Sequence, residues 1–390
     1  MIGVDEARDR LFRAAPAPTS ETVPLAEGAG RVLAKDVAAK RTQPPFNASA
    51  MDGYALSHAD ILRGPVRVVG EAVAGKAYGR PLGRGEAVRI FTGAPVPEGA
   101  DTVLIQEDAV VEGTSLTTTA SVSLGAHIRR QGLDFEGGAP LLQNGHRLTA
   151  RDLALLGAGG HAHLTVAARP KVAFLATGDE LVPPGTMPGP DQIVASVTPT
   201  LSAMVADAGG DSVDLGIVPD RQDAIEAAAR DGLRQADLLV TLGGASVGDH
   251  DLIRPALEGL GIALDFWRVA VRPGKPLMFA PSPMVLGLPG NPVSSVVCSA
   301  LFLCPLVLAM QGADDPGPAV LAGTLGAPVG QNGPRRDHMR ARIDRDGRIV
   351  PFRVQDSSML STLAKANVLL VREPHEGPAE AGTPCRYIAL

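Results

Sequence analysis

Short, continuously apolar runs alternate with amphipathic stretches between residues 170 and 312. A strand covered on both faces is apolar throughout, so these runs predict the buried strands of a parallel sheet. The amphipathic stretches predict helices, and Thr198 and Asn291, each followed by proline, predict two N-caps. Sheets of this kind bind ligands at the carboxyl ends of their strands. The predicted strands are 171–176, 213–218, 237–242 and 284–288, and the predicted helices are 199–208, 221–234 and 292–310.

The pattern differs on either side of this region. Residues 4–12 predict a short amphipathic helix, and the short β-like runs between residues 44 and 138, separated by Gly and Pro, predict a small all-β domain. Residues 150–157 predict another short helix in a connecting layer. Alternation at 339–343 followed by Asp346-Gly347 predicts a hairpin in a C-terminal β domain. The chain is therefore expected to form several domains.

Composition narrows the possible function classes. The 390 residues are 45% hydrophobic and 20% charged with a net charge of −6, which predicts a soluble globular protein. Aromatic residues make up only 3%, and this, with the acidic balance, disfavours nucleic acid as a partner. The apolar segment 293–310 raises the question of a membrane span, but its serines and Pro305 favour a buried core helix. With no leader-like segment in residues 1–13 and no metal-ligand spacing among three cysteines, we expect a cytoplasmic protein with reduced thiols.

Three Gly-rich loops follow apolar runs at 243–251, 273–276 and 288–294. A Gly-Gly turn lets backbone N–H groups approach an anion closely, because no Cβ intervenes. Asp249 and Asp251 would repel a bare phosphate but suit a divalent cation that bridges to one. Each loop alone is equally consistent with an ordinary tight turn. Together they favour an oxyanion site with a metal.

Single residues near these loops have both a structural and a functional interpretation. Glu180 follows a predicted strand and would face the same crevice as Asp251, so both could bind Mg²⁺; it could equally solvate the turn. Asn291 caps a helix whose free N–H groups near Ser294 would form an anion site. Lys275 lies between two prolines, and this rigidity favours a functional role over a surface one.

Two segments of the first β domain, 49–55 and 89–95, place polar groups beside glycine, and both are consistent with ordinary turns. Arg129 and Asp134 lie in a short segment that contains both basic and acidic residues. On its own this indicates a surface ion pair that contributes little to stability. His338 is interpreted as a polar neighbour rather than a general base.

These motifs together resemble the molybdopterin molybdenumtransferase family, which includes the E domain of gephyrin. The resemblance implies insertion of molybdate into adenylylated molybdopterin with Mg²⁺-dependent release of AMP. It also implies a homodimer whose sites are shared between subunits, and contact with the molybdopterin adenylyltransferase and with acceptor molybdoenzymes. The similar stretches are 49–55, 89–108, 172–182, 237–251, 266–276 and 287–295.

The resemblance further implies a fold and roles for single residues. The fold would comprise a three-layer α/β domain with a parallel or mixed sheet (1–14 with 169–312), a connecting α+β segment (15–43 with 140–168), an inserted β domain (44–139) and a C-terminal β-barrel-like domain (313–390). The implied catalytic residues are Asp52, Asp134, Glu180, Asp251 and Lys275, and the implied metal ligands are Glu180, Asp220 and Asp251. The implied substrate-binding residues are Thr92, Arg129, Gly243, Gly244, Ser246, Gly248, Arg268, Arg272, Pro289, Asn291, Pro292, Ser294, Arg340 and Ser357. Four of the residues named would contribute to the neighbouring subunit's site: Asp52, Thr92, Arg129 and Asp134.

One position departs from the family pattern. Family members usually have an asparagine where this chain has Val197, so an amide that could bond the substrate is missing. This departure supports a second hypothesis, a catalytically impaired paralogue that binds the cofactor or acts as a scaffold. A third hypothesis, a nucleotide hydrolase or adenylyltransferase, is disfavoured because such a protein would lack residues 44–140.

Overall fold

The computed structural model describes residues 1–243 and 252–390. Within them the chain forms several sheets, some antiparallel and some mixed, with helices packed against the central one. The protein therefore has a multidomain α/β fold with mixed sheets, as the sequence predicts.

Residues 1–168 form three α-helices and two β regions. Ser20–Pro24 pairs with His163–Ala167, and Val37–Ala38 pairs with Pro140–Leu142, so segments distant in sequence share one layer. The residues between them form a six-stranded sheet in the order β7-β4-β6-β5-β9-β8. The elements are α1 Val4–Ala14, β1 Ser20–Pro24, β2 Val37–Ala38, β3 Ala48–Ser49, β4 Gly53–Leu56, α2 His58–Ile61, β5 Val66–Ala72, β6 Glu86–Ile90, β7 Thr102–Ile105, β8 Ala109–Glu112, β9 Ser115–Thr118, β10 Ile128–Arg129, β11 Pro140–Leu142, α3 Ala150–Ala158 and β12 His163–Ala167.

The central region contains a five-stranded sheet in the order β16-β13-β17-β20-β19. All neighbours in it are parallel except β19, which runs antiparallel to β20 and makes the sheet mixed. The elements are β13 Lys171–Thr177, β14 Leu181–Val182, β15 Ile193–Val194, α4 Val197–Asp207, β16 Asp211–Val218, α5 Gln222–Gln235, β17 Leu238–Leu242, α6 Ile253–Gly259, β18 Val271–Arg272, β19 Met278–Pro281, β20 Met284–Leu288, α7 Pro292–Cys298 and α8 Cys304–Met310.

Apolar side chains cover both faces of this sheet. Along β13, Val172 and Phe174 belong to one buried cluster while Ala173 and Leu175 belong to another. The first cluster includes α1, α4, α7 and α8, and the second includes α5 and α6. Because side chains alternate along a strand, a strand between two helical layers must be apolar at every position, which is the pattern that the sequence shows.

The segment from Pro292 to Met310 is one long, interrupted helix. It begins at Pro292 with Asn291 as its N-cap, as predicted. By contrast, α4 begins at Val197 with Ser196 as its N-cap, so the predicted cap at Thr198 is wrong. Residues Ser299–Leu303 are π-helical, because Pro305 has no N–H to donate to the carbonyl of Leu301. By length and composition the helix could cross a membrane, but 78% of its most apolar window is buried inside the protein. It is a core helix of the central layer.

The C-terminal region is a β structure joined to the central one. β18 of the central region pairs with the strand that carries Asp337. The predicted hairpin forms between 341–343 and 349–351, and a bridge between Leu325 and Ile349 closes the sheet on itself. The elements are β21 Val320–Thr324, β22 Arg336–Ile343, β23 Ile349–Pro351, α9 Leu360–Leu363, β24 Val368–Arg372 and β25 Pro384–Ala389.

The N-terminal helix is bound to both the central and the C-terminal regions. Val4, Ala7 and Leu11 of α1 are buried in the same cluster as β19 and α8. On its other side, Asp5 accepts two hydrogen bonds of 2.8 Å from Arg336 of β22. Arg336 holds the pKa of Asp5 well below its usual range. Helix α1 therefore completes a layer formed by residues near the other end of the chain.

Candidate active site

The carboxyl ends of β13, β17 and β20 bring two of the three predicted Gly-rich loops together with the turn that carries Glu180. Thr177, Leu242 and Leu288 end these strands, and Gly178, Gly243 and Pro289 follow them directly. Gly243 has a φ of +95°, and a Cβ on Gly290 would lie only 3.2 Å from the Gly243 backbone. The positive φ favours glycine at 243, and the absence of a side chain at 290 lets the two loops approach this closely.

Two cavities flank the segment 193–198 at this edge of the sheet. A small one of about 80 Å³ is lined by Glu180, Val197, Gly243 and Pro292, among others. A larger one of about 590 Å³ lies near Asp179 and the end of β16. The structure thus brings three predicted site residues to one cavity and places Val197, the departure from the family pattern, beside them. The predicted residues Gly244, Ser246, Gly248 and Asp251 lie outside the described residues.

The predicted metal ligands Glu180, Asp220 and Asp251 stay a prediction. Glu180 and Asp220 follow the ends of neighbouring strands, but the carboxylate that contacts the Asp220 segment is Asp179, whose Oδ1 accepts a 3.2 Å hydrogen bond from the Asp220 N–H. Within residues 1–243 and 252–390 no three His, Cys, Asp or Glu side chains are grouped to hold a metal ion. The third predicted ligand, Asp251, lies outside them.

Four other predicted residues meet in a second cavity of about 650 Å³, between the central and C-terminal regions. Arg272, Ser294, Arg340 and Ser357 all line it, although they come from four separate segments. The sequence analysis missed the five other charged or polar residues that line this cavity, because nothing in their sequence context indicates a binding site. They are Arg335, Asp337, Arg353, Gln355 and Asp356.

The charges of this arginine-rich pocket (the second cavity, lined by Arg272, Arg335, Arg340 and Arg353) favour an anion. Its two carboxylates, Asp337 and Asp356, do not balance four guanidinium groups. Asp337 is buried, and burial raises its pKa although Arg272 lies 3.4 Å away. Arginine presents planar, paired N–H donors, the arrangement suited to a tetrahedral oxyanion. The pocket can therefore hold an oxyanion that carries two negative charges.

One N–H group in the first turn of α7 already has a partner within the protein. The N–H of Val293, in the first turn of the helix, is not free for an anion, because it donates to the Ser357 carbonyl at 3.2 Å. The Asn291 carbonyl accepts from the N–H of Ser295 at 2.9 Å and from its hydroxyl at 3.1 Å. The Ser295 hydroxyl also donates to the Pro289 carbonyl. Pro289 and Asn291 thus shape the loop through their backbones and tie it to the Ser357 segment.

The structure does not bring Lys275 or Arg268 into the arginine-rich pocket. Lys275 is exposed on the loop whose preceding residue, Gly274, lines the pocket. The Arg268 guanidinium instead lies 3.9 Å from the centre of the Trp267 ring, a cation–π contact. A functional role for Lys275 and Arg268 stays a prediction.

Gly274 is fixed in place by Cys298 of α7. Its φ is +111°, and a Cβ there would lie 2.2 Å from the Cys298 Sγ atom. Burial raises the pKa of this thiol to about 12, so it acts as packing and not as a nucleophile. The Arg272–Lys275 loop is therefore held against the core at Gly274.

We expect Gly274→Ala to lower the free energy of unfolding by about 2–4 kcal/mol, because backbone strain and overpacking add. Adding Cys298→Ala removes the clash and should restore part of this loss, as measured by urea denaturation. Gly185→Ala is the matched control, since Gly185 has a φ of +90° and a Cβ added there would have no neighbouring atom within 4 Å. A double variant no more stable than Gly274→Ala would show that Cys298 does not limit this position.

The remaining predicted residues form a separate patch on the first β domain. Asp52 accepts hydrogen bonds of 2.8 Å from both the N–H and the hydroxyl of Thr92, and these hold the pKa of its carboxyl below the usual value. Arg129 lies opposite Ala48 in the β3–β10 pair, and the Asp134 N–H donates to the Gln43 carbonyl at 3.0 Å. None of the four lines the cavities described above.

Comparison with known proteins places these three groups of residues in one family. The family described as "MoeA N-terminal region (domain I and II)" matches residues 2–160. "Probable molybdopterin binding domain" matches residues 173–309, and "MoeA C-terminal region (domain IV)" matches residues 322–390. The molybdopterin molybdenumtransferase of Haemophilus influenzae is 34% identical, over 98% of this chain and 97% of that protein. This chain belongs to the molybdopterin molybdenumtransferase family.

Other members of the molybdenumtransferase family agree with this placement. The enzyme of that name from Synechococcus elongatus is 36% identical over 95% of this chain and 94% of its own length. The solved structure of a molybdopterin biosynthesis MoeA protein from Pyrococcus horikosii has a TM-score of 0.81 and 27% identity, over 100% of this chain and 99% of that one. The similarity therefore extends over all three groups of site residues.

His338 lies on β22 between two residues of the arginine-rich pocket. It is 2% exposed, and among the described residues its Nδ1 atom has no hydrogen-bond partner. Burial, with smaller contributions from Arg336 and Arg8, lowers its pKa to about 3. His338 is therefore a buried, neutral neighbour of the pocket residues, and its side chain forms a hydrogen bond with the backbone of Arg272.

We expect His338 to make the protein less stable as the pH falls. Its pKa in the unfolded chain is about 6.5, so between pH 6.5 and 3 the unfolded state binds the extra proton, and stability falls by up to about 1.4 kcal/mol per pH unit. His338→Leu should flatten the dependence of unfolding free energy on pH between pH 6.5 and 5, above the range where carboxylates titrate. An unchanged slope in that variant would contradict this assignment.

Proposed function

We propose that this chain inserts molybdate into adenylylated molybdopterin and releases AMP in a Mg²⁺-dependent reaction. Membership of the molybdenumtransferase family supports the reaction class. The single observation that carries the proposal for this chain is the meeting of Arg272, Ser294, Arg340 and Ser357 in one pocket. Molybdate is a compact dianion at neutral pH, and these side chains supply the positive charge and the hydrogen-bond donors that it needs.

The cavities at the carboxyl edge of the sheet would take the pterin and the nucleotide. Glycine-lined walls near Gly243 and Gly290 let phosphate groups approach backbone N–H groups. Glu180 and Asp220, with Asp251, would hold Mg²⁺, which prefers oxygen ligands and stabilises charge on phosphate oxygens when bound. The small cavity has no amide at Val197, so substrate contacts there would be apolar.

We further propose that the protein acts as a homodimer in the cytoplasm, with the Asp52 patch completing the partner's site. The Asp52–Thr92 contact holds the carboxylate in one orientation although no cavity described above uses it, which suits a contribution to a neighbour. This proposal also includes a division of the chain into four domains: 1–14 with 169–312, 15–43 with 140–168, 44–139, and 313–390. It further includes contacts with the molybdopterin adenylyltransferase and with acceptor molybdoenzymes.

The proposed reaction is tested by incubating the protein with adenylylated molybdopterin, molybdate and Mg²⁺, and following the pterin by mass spectrometry. We expect a molybdenum-bearing pterin and an equal amount of AMP. Omitting molybdate or Mg²⁺ should suppress the product. A protein that binds the pterin without converting it would instead support the scaffold hypothesis.

A further inference from the structure

Gln355 is a residue of the arginine-rich pocket whose contacts are directed at Arg340. Its Oε1 atom accepts hydrogen bonds from the backbone N–H of Arg340 at 2.9 Å and from the Arg340 Nε at 3.3 Å. Its Nε2 atom donates to the carbonyls of Arg340 at 2.9 Å and Phe352 at 2.8 Å. One neutral side chain thus holds both the backbone and the guanidinium of the same arginine.

The position of this amide follows from the way β23 ends. β23 pairs with β22 from Ala341 to Ile343, and the chain leaves the ladder after Pro351. Arg340 lies just beyond the last paired residue of β22, so its N–H and carbonyl would lack a partner on the side of β22 that faces β23. The Gln355 amide supplies an acceptor and a donor there, and the Phe352 N–H adds a 3.0 Å bond to the same carbonyl. The loop is therefore fixed against β22 at the residue that carries the pocket's buried cation.

The same contacts restrict the guanidinium. Arg340 is 2% exposed, its Nε bonds Gln355 and its Nη1 bonds the Met359 carbonyl at 3.2 Å. A guanidinium has five N–H donors, so three remain for a ligand in the pocket that Arg340 lines. Because an amide carries no charge, Gln355 orients the group without cancelling its positive charge. A carboxylate at 355 would form the same acceptor contact but neutralise the cation.

We propose that Gln355 is the positioning residue that sets the orientation of Arg340 toward the oxyanion substrate. The inference rests on the proposed function, since it assumes that this pocket takes molybdate. Gln355 contacts Arg340 and not the substrate. By fixing the orientation of Arg340, Gln355 determines how strongly the pocket binds a tetrahedral dianion.

The test compares Gln355→Leu with Gln331→Leu, a matched change at an exposed glutamine of the same region. We expect Gln355→Leu to raise the KM for molybdate about tenfold or more, with the KM for adenylylated molybdopterin within about twofold of the wild type. Gln331→Leu should change neither. Combining Gln355→Leu with Arg340→Lys should raise the molybdate KM no further than Arg340→Lys alone, because the two act through one group.

Gln355→Glu keeps the acceptor contact but loses the Nε2 donor to the Arg340 and Phe352 carbonyls, so its melting temperature is measured first to establish that it folds. It should also bind molybdate at least about tenfold more weakly, measured by equilibrium dialysis with molybdate alone. Wild-type molybdate binding in Gln355→Glu, or additive effects with Arg340→Lys, would overturn the inference. A wild-type protein that binds molybdate but forms no product would contradict the proposed function alone, and the dialysis would still decide the role of Gln355.

Discussion

Replacing Arg340 with glutamine is expected to raise the molybdate concentration needed for half-maximal activity by about 100-fold or more. The change removes a charge that is buried at the wall of the pocket, together with guanidinium donors that a neutral amide does not replace. Burial lowers the pKa of Arg340, and nearby Asp356 and Asp337 oppose this effect. A guanidinium group is not deprotonated in proteins, so Arg340 is charged at neutral pH. The measurement is the rate of AMP release against molybdate concentration.

Two further variants separate charge from geometry at this position. Arg340→Lys keeps the charge but loses the planar pair of donors, so its effect should be smaller than that of glutamine but clear. Arg342 lies two residues further along the same strand and is exposed, so Arg342→Gln serves as the control. If Arg340→Gln shows the molybdate dependence of the wild type, the oxyanion does not bind in this pocket.

Mixing two inactive variants, Asp52→Asn and Glu180→Gln, is expected to restore activity. In a dimer with shared sites, the mixed species has one site with both defects and one with neither. Equal mixing makes about half of the dimers mixed, so recovery should approach about a quarter of the wild-type rate. The rate of AMP release is measured after subunit exchange, which is confirmed with differently tagged chains.

The control for this experiment is a mixture of Glu180→Gln with Arg340→Gln. Glu180 lines a cavity of the central region and Arg340 a cavity between the central and C-terminal regions of the same chain, so each site of a mixed dimer carries one defect. At a molybdate concentration far below the half-maximal value of Arg340→Gln, that mixture should stay inactive. Absence of recovery in the first mixture, despite confirmed exchange, would mean that Asp52 serves its own subunit.

The sheet and its helices can be predicted because their signals are local. Buried strands such as β13 and β17 are apolar throughout, and Asn291-Pro292 marks a helix start whatever packs around it. The antiparallel strand β19 is absent from the predicted strands, since its short apolar run follows a proline loop and precedes another short run. The predicted cap at Thr198 is wrong because Pro is accepted within the first turn, and α4 begins one residue before Thr198.

The arginine-rich pocket can be predicted only in part, because it depends on contacts between distant segments. Family resemblance identifies Arg340 and Ser357, while Gln355 and Arg353 have ordinary loop neighbours in sequence. Their relevance emerges once β23 ends at Pro351 and the following loop folds back on β22. The same limit applies at the start of α7, since nothing near Val293 in sequence indicates that its N–H donates to the Ser357 carbonyl at 3.2 Å.

Helix α1 leaves the ribosome long before the residues that cover its apolar face. Its partners in β19 and α8 lie some two hundred and fifty residues or more further on, about 13–50 s of synthesis at roughly 5–20 residues per second. An isolated helix of 11 residues is marginal in water, so α1 gains its stability only when that layer assembles. Helix α1 is thus synthesised first but docks late. Residues 20–168 have time to fold before it docks, and α1 packs into the central layer only after the sheet that carries Glu180 and Gly243 has been synthesised.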